Sequence, residues 1–230
     1  MTNASNQSSL VYHLTVNDVN KLDYHFSQNE LGLKLVESVN LATENWMALE
    51  HMQCRNCPLN KRQHPFCPIA KNLGVLLKDW HNIVSFDKVS LEVISKNRTI
   101  SATTTAQSAL SSLLGLIMAT SDCPHTQFFR PMAYFHLPLS TPEETSFRAI
   151  STHLMTQFFR LRNGEAVQFN LQGLIDIYET MHTVNIFMKR RIESAVVNDA
   201  ALNAVVLLDL LAITLPNYLD VELERLEKLF

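Results

Sequence analysis

Three of the four cysteines in this 230-residue chain fall within fourteen positions, as Cys54-Arg55-Asn56-Cys57-Pro58 and Cys67-Pro68. The fourth, in Cys123-Pro124, follows more than fifty residues later. A C-x2-C turn can aim two sulfurs at one metal, because the amides between them can face the thiolates and offset part of their charge. A third ligand ten positions on requires only that the loop fold back. The fourth is demanding, since Cys123 can join only if the fold lays a distant chain segment against the cysteine loop. If it does, Cys54, Cys57, Cys67 and Cys123 form a complete ligand set with no cysteine left over. Proline follows Cys57, Cys67 and Cys123; it fixes φ, removes an N–H and stiffens the chain at three ligands.

A closed tetrahedral site of four thiolates suits a structural zinc ion, with Zn–S bonds of about 2.3 Å. A [4Fe–4S] cluster is the rival, because Cys-Pro is familiar from cluster-binding loops and a cubane tolerates a distant fourth thiolate. Free thiols, with Cys54 and Cys57 as a redox pair or all four merely buried, are a third possibility.

The length admits a full core without help from metal or disulfide, so a metal centre here has a reason other than core volume. Apolar residues make up 47% and charged residues 18% of the chain, the balance of a globular protein. A net charge of −3 provides no cationic field for a phosphate backbone, so nucleic acid is not an expected partner. The start, MTNASNQSSLVYHL, has neither a basic nor an apolar leader region, and no window reads as a membrane span. The expectation is a cytoplasmic protein with reduced thiols.

Residues 1–9 read as a loose tail and 10–230 as one α+β domain, with sheet and cysteine loop over 10–104 and a helical part over 105–230. Leu10, Tyr12, Leu14 and Val16 alternate with more polar neighbours, as do Leu22, Tyr24 and Phe26, then Leu31, Leu33 and Leu35, which predicts a three-stranded meander. A second hairpin pairs Val89–Val93 with Arg98–Thr103 through Lys96-Asn97, where Asn97 suits the positive φ of a tight turn. The fold class that follows is a small antiparallel sheet from two N-terminal hairpin regions, packed on a mostly helical C-terminal bundle. Helices are predicted over 44–52, 69–83, 105–120, 142–162, 171–193 with Asn170 as cap, 197–213, and from Pro216 onward. Residues 124–141 read as a proline-rich loop ending in Thr141-Pro142-Glu143-Glu144, a capping box with proline at the first helical position. The long amphipathic helices suit a protein partner or a second copy of the chain.

Other candidates are weaker. His51 and His64 lie near the cysteines and could substitute for one. His125, Arg130 and His136 share the loop after Cys123 and, with Glu143 and Glu144, could form an acid/base site; that reading requires a concave pocket with perturbed titration. Lys189-Arg190-Arg191, in the last turn of a helix, complements the helix dipole. No Walker loop, G-x-S-x-G, G-x-G-x-x-G or H-E-x-x-H occurs.

The segments Gln53-Cys54-Arg55-Asn56-Cys57-Pro58-Leu59, Cys67-Pro68-Ile69-Ala70, Ile117 to Pro124 and Arg130-Pro131-Met132-Ala133-Tyr134-Phe135-His136-Leu137-Pro138 resemble those of an uncharacterised family of bacterial proteins. The resemblance spans roughly residues 10 to 210. It implies a bacterial cytosolic protein whose cysteines and Arg-Pro-Met segment belong to one unit, and it carries no activity. Relatives often have glycine before the last cysteine, where this chain has Asp122. The expectation from residues and resemblance together is a metal-binding protein, an interaction or regulatory protein with a structural zinc site or a redox sensor or enzyme with a cluster.

Overall fold

The computed structural model describes residues 9–30, 32–36, 43–195 and 199–230. Strands β1 (Leu10–Val16), β2 (Asn20–Asn29) and β3 (Gly32–Leu35) form the expected meander; Leu31 lies outside the described residues. Strands β4 (Lys88–Ser95) and β5 (Arg98–Thr105) form the second hairpin. The two hairpin regions join through β1 and β4, antiparallel with Tyr12 opposite Val93, so the five strands make one sheet in the order β3-β2-β1-β4-β5. Its covered face holds Tyr12, Leu14, Val16, Tyr24, Phe26, Val89, Leu91 and Val93, the period-two set that a half-buried sheet needs.

The left-handed turn sits elsewhere than expected. Asn17 (φ 51°) and Asp18 (φ 60°) adopt it between β1 and β2, whereas Asn97 does not. Asn17 suits that place because its Oδ1 accepts from Lys88 N–H at 3.2 Å while its own N–H reaches Lys88 O at 2.8 Å, tying the turn to β4. Ser9, assigned to the tail, is also held: both its N–H and its hydroxyl donate to Phe26 O.

The predicted helix over 44–52 contracts to one 3-10 turn, Asn45–Met47. Leu49 N–H leaves the helical pattern to reach Pro65 O, Ala48 and Phe66 form an isolated antiparallel bridge, and Met52 takes φ 45°. These contacts close the base of a loop over 49–66 that carries Cys54 and Cys57. Helix α1 (Pro68–Asp79) follows, buried along Ile69, Leu73, Leu76 and Leu77. Tyr24 joins it to the sheet, donating to Asp79 Oδ2 at 3.0 Å and accepting from Trp80 Nε1 at 2.9 Å.

Helix α2 (Ala106–Ala119) is capped by Thr105, whose Oγ1 accepts from Ser108 N–H. The segment expected as loop is partly helical: a 3-10 helix spans Pro124–Phe129 and a short α3 spans Arg130–Tyr134. Helix α2 ends at Ala119 with Thr120 as its cap, and Pro124 opens the next turn, because proline at the first helical position gives up only an N–H that has no partner there. The capping box forms as predicted at the start of α4 (Pro142–Arg162), with Thr141 Oγ1 accepting from Glu144 N–H and Glu144 Oε2 from Thr141 N–H.

Helix α5 (Gln172–Glu193) begins one residue later than expected, and Asn170 contributes through Oδ1, which accepts from Gln172 N–H at 3.2 Å. Helix α6 (Ala200–Glu227) runs unbroken through Pro216, where two helices were expected. Pro216 cannot donate to the carbonyl four residues back. Asn217 Nδ2 donates to Ile213 O at 2.8 Å, and buried Leu215 and Leu219 hold both sides of the proline against the core. Helix α6 packs against both α2 and α5 in the helical half. Contrary to the expectation of no membrane-length window, α6 is long and apolar enough to cross a bilayer. Its eighteen-residue window has a mean hydropathy of 1.7, with 33% buried. Within the fold its Asp209 accepts from His182 Nδ1 at 2.8 Å.

Candidate functional site

The cysteines come from three segments. Cys54 and Cys57 sit in the closed loop, where Cys57 N–H donates to Cys54 O at 2.9 Å and Gln53 Nε2 ties the far side to Leu59 O at 3.1 Å. Cys67 precedes α1 as its N-cap, and its N–H bonds Met47 O. Cys123 precedes the 3-10 helix in the same way. The two Cys-Pro pairs are thus built alike: extended backbone at cysteine, proline at the first helical position, and the sulfur over the opening turn. The N–H groups of Ile69 and Ala70 lie near enough to the Cys67 sulfur to lower its pKa without closing a cap hydrogen bond; those of His125 and Thr126 do the same for Cys123.

The four thiols lie in one another's electrostatic field. Burial, followed by the charges of Cys67, Cys57 and Cys123, pushes Cys54 up to about 12, against a smaller pull from Arg191. Burial raises Cys67 as well, opposed by Ala70 N–H and Arg191. Cys123 rises to about 11, again chiefly through burial, with Cys67 and Cys57 adding to it. Cys54, Cys67 and Cys123 each resist ionisation, and a cation among them would offset that cost. All four are free of disulfides. As placed, no group of three His, Cys, Asp or Glu side chains among the described residues is gathered tightly enough to hold a metal ion.

Two other side chains shape the site. His125 Nε2 donates to Asn56 O at 2.8 Å and joins the Cys123 segment to the C-x2-C loop. Arg191, 1% exposed, reaches in from α5 and donates to the carbonyls of Trp46 (2.7 Å), Ala48 (2.7 Å) and Leu49 (2.8 Å) at the loop's base. Burial lowers its pKa, and the neighbouring Cys67, Cys54 and Cys57 raise it. A dipole-complementing role for Lys189-Arg190-Arg191 therefore does not describe Arg191. Its position on the buried stripe of Val184, Met188 and Ile192 was the available signal, because a cation on an apolar stripe needs buried partners.

Asp122 faces away from the thiols. It is mostly exposed and lies 3.7 Å from Lys34 and 3.9 Å from Arg130. His51 bonds Ser194 and His64 is exposed. His125, Arg130 and His136 do not gather: His125 meets the cysteine loop, Arg130 meets Asp122, and His136 lines a separate cavity.

That cavity, of about 630 Å³, lies among α2, the 126–140 segment and helices α4 to α6. His136 Nε2 bonds the hydroxyl of Tyr12, which also meets Ser112 Oγ at 3.1 Å. Burial, helped by the charge of Arg148, lowers His136 to about 3, so it is neutral. Arg148 on α4 is held by the carbonyls of Met132 and Phe135.

Residues 10–230 match the family described as Domain of unknown function (DUF6901). The chain belongs to this family. No curated protein and no solved structure matches the DUF6901 chain. Membership agrees with the resemblance to an uncharacterised family.

Proposed function

We propose that this DUF6901 protein is a metal-binding protein in which Cys54, Cys57, Cys67 and Cys123 hold a zinc ion. The observation that carries the reading is that thiols from three segments lie within one another's electrostatic field, two of them set over helix starts whose amides favour thiolate. Zinc would balance the charge that the thiols cannot carry alone and lock the cysteine loop, α1 and the 3-10 helix to one point. The role is structural, in a bacterial, cytoplasmic interaction or regulatory protein. Its surface for a protein partner or a second copy is the stripe of Phe147, Leu154, Met155, Phe158 and Leu161 on α4, all more than a third exposed.

An iron–sulfur cluster is the second reading, with a redox sensor or redox enzyme as its consequence. It draws on the Cys-Pro pairs, familiar from cluster-binding loops, and on the tolerance of a cubane for a distant fourth thiolate. Elemental analysis of protein purified without oxygen tests both. About one zinc per chain in colourless protein supports the first, and iron with sulfide and visible absorption supports the second. Metal-free, fully folded protein that takes up neither defeats both.

A further inference from the structure

The cavity among α2, α4, α5 and α6 is independent of the cysteines in its chemistry. Small residues on one side of α2, namely Ser108, Ser111, Ser112, Gly115 and Ala119, leave space where larger side chains would have met α6; a Cβ on Gly115 would already lie 3.4 Å from Leu208 Cδ2. The volume of about 630 Å³ falls in the range of small-molecule sites. Leu116, Met132, Leu137, Leu139, Leu208 and Leu211 make much of the wall apolar.

Three polar groups stand on that wall. Among the described residues, Arg148 is the one lysine, arginine or carboxylate residue lining the cavity. Its guanidinium has no ion pair among the described residues, and Glu144, within its field, is bonded to Thr141 N–H. Tyr178, 3% exposed, lies within the field of Arg148. Asn185, also 3% exposed, has an unpaired Oδ1. An unpaired acceptor such as Asn185 Oδ1 calls for a donor, and a cation without an ion pair calls for an anion. One guanidinium fits one carboxylate, and no second cation on the lining would serve a phosphate dianion.

We propose that this cavity binds a small monocarboxylic acid with an apolar body, its carboxylate on Arg148 and Tyr178 and its body along the leucines of α6. Decanoate, decanol and decylamine are the probes, titrated calorimetrically into the full-length protein. Decanoate binds at one per chain and at least tenfold more tightly than decanol, and decylamine does not bind. Arg148→Gln brings decanoate down to the affinity of decanol. Tyr178→Phe, which keeps the ring packing, weakens decanoate about fivefold or more without changing decanol, and this variant carries the test if Arg148→Gln does not fold. Ser111→Phe, filling the cavity, removes both. Equal binding of decanoate and decanol, no decanoate binding at millimolar concentration, or undiminished binding in folded Ser111→Phe overturns the proposal.

Discussion

Replacing Arg191 with methionine keeps an unbranched stem of similar reach and removes the cation that holds the base of the cysteine loop. Three carbonyls, at 2.7, 2.7 and 2.8 Å, lose their donor at once. Hydrogen bonds to a charged group contribute about 1.5–3 kcal/mol each, so three at the lower value give about 4.5 kcal/mol. Relief from burying the cation offsets part of this, and its unpaired Nε shows that the burial is incompletely compensated. A net loss of about 3–4 kcal/mol remains, because three carbonyls are left without a donor. For a chain of this length about 2–4 °C is lost per kcal/mol, so melting should fall by about 10 °C in differential scanning calorimetry. Arg191→Lys retains the charge without the planar fork and should recover part of that loss. A melting temperature within 2 °C of the parent for Arg191→Met would show that the loop is held by other contacts and that the bonds to its carbonyls contribute little.

Other perturbations isolate other parts. Cys67→Ser should lose bound metal and melt at a lower temperature, because structural metal binding is coupled to folding; metal content by mass spectrometry and calorimetry check it together. His136 is held neutral with a pKa near 3, while the unfolded side chain titrates near 6.5. The unfolded state therefore binds the extra proton between these values, and stability falls as pH drops below about 6.5. Between pH 6.5 and 5 this amounts to about 2 kcal/mol, and urea unfolding of His136→Asn should show a shallower pH dependence over the same window. Thr141→Ala removes one arm of the capping box and should cost about 1 kcal/mol in urea unfolding. Tyr24→Phe strands the buried indole N–H of Trp80 and should cost about 1–3 kcal/mol by the same method.

Much of the architecture was legible because it rests on local periodicity. Alternation in Leu10–Val16 and in Val89–Val93 announces strands, and Thr141-Pro142-Glu143-Glu144 announces a helix start to the residue. Proline was the less certain guide, since its effect depends on which face of the chain must give up a hydrogen bond. Pro124 opens a helical turn where a loop was expected, and Pro216 sits inside α6 where a break was expected. The joining of two hairpins through β1 and β4 is a long-range event with no local signature. At the candidate site the cysteines identify themselves by spacing, whereas Arg191 is far along the chain and reveals itself only as a charge on an apolar stripe. The cavity left a fainter trace in the small residues of α2, which a helical pattern alone reads as ordinary packing.

The grip of Arg191 on Trp46, Ala48 and Leu49 spans more than 140 positions. On a growing polypeptide, at about 5–20 residues per second, the fastening arrives on the order of ten seconds after Cys67 has been made. Until then the nascent N-terminal portion exposes thiols on an unclasped segment, open to oxidation and to whatever soft ion is nearby. Closing of the loop thus belongs to the end of synthesis, and a stalled or truncated product lacking α5 would display its sulfurs unguarded.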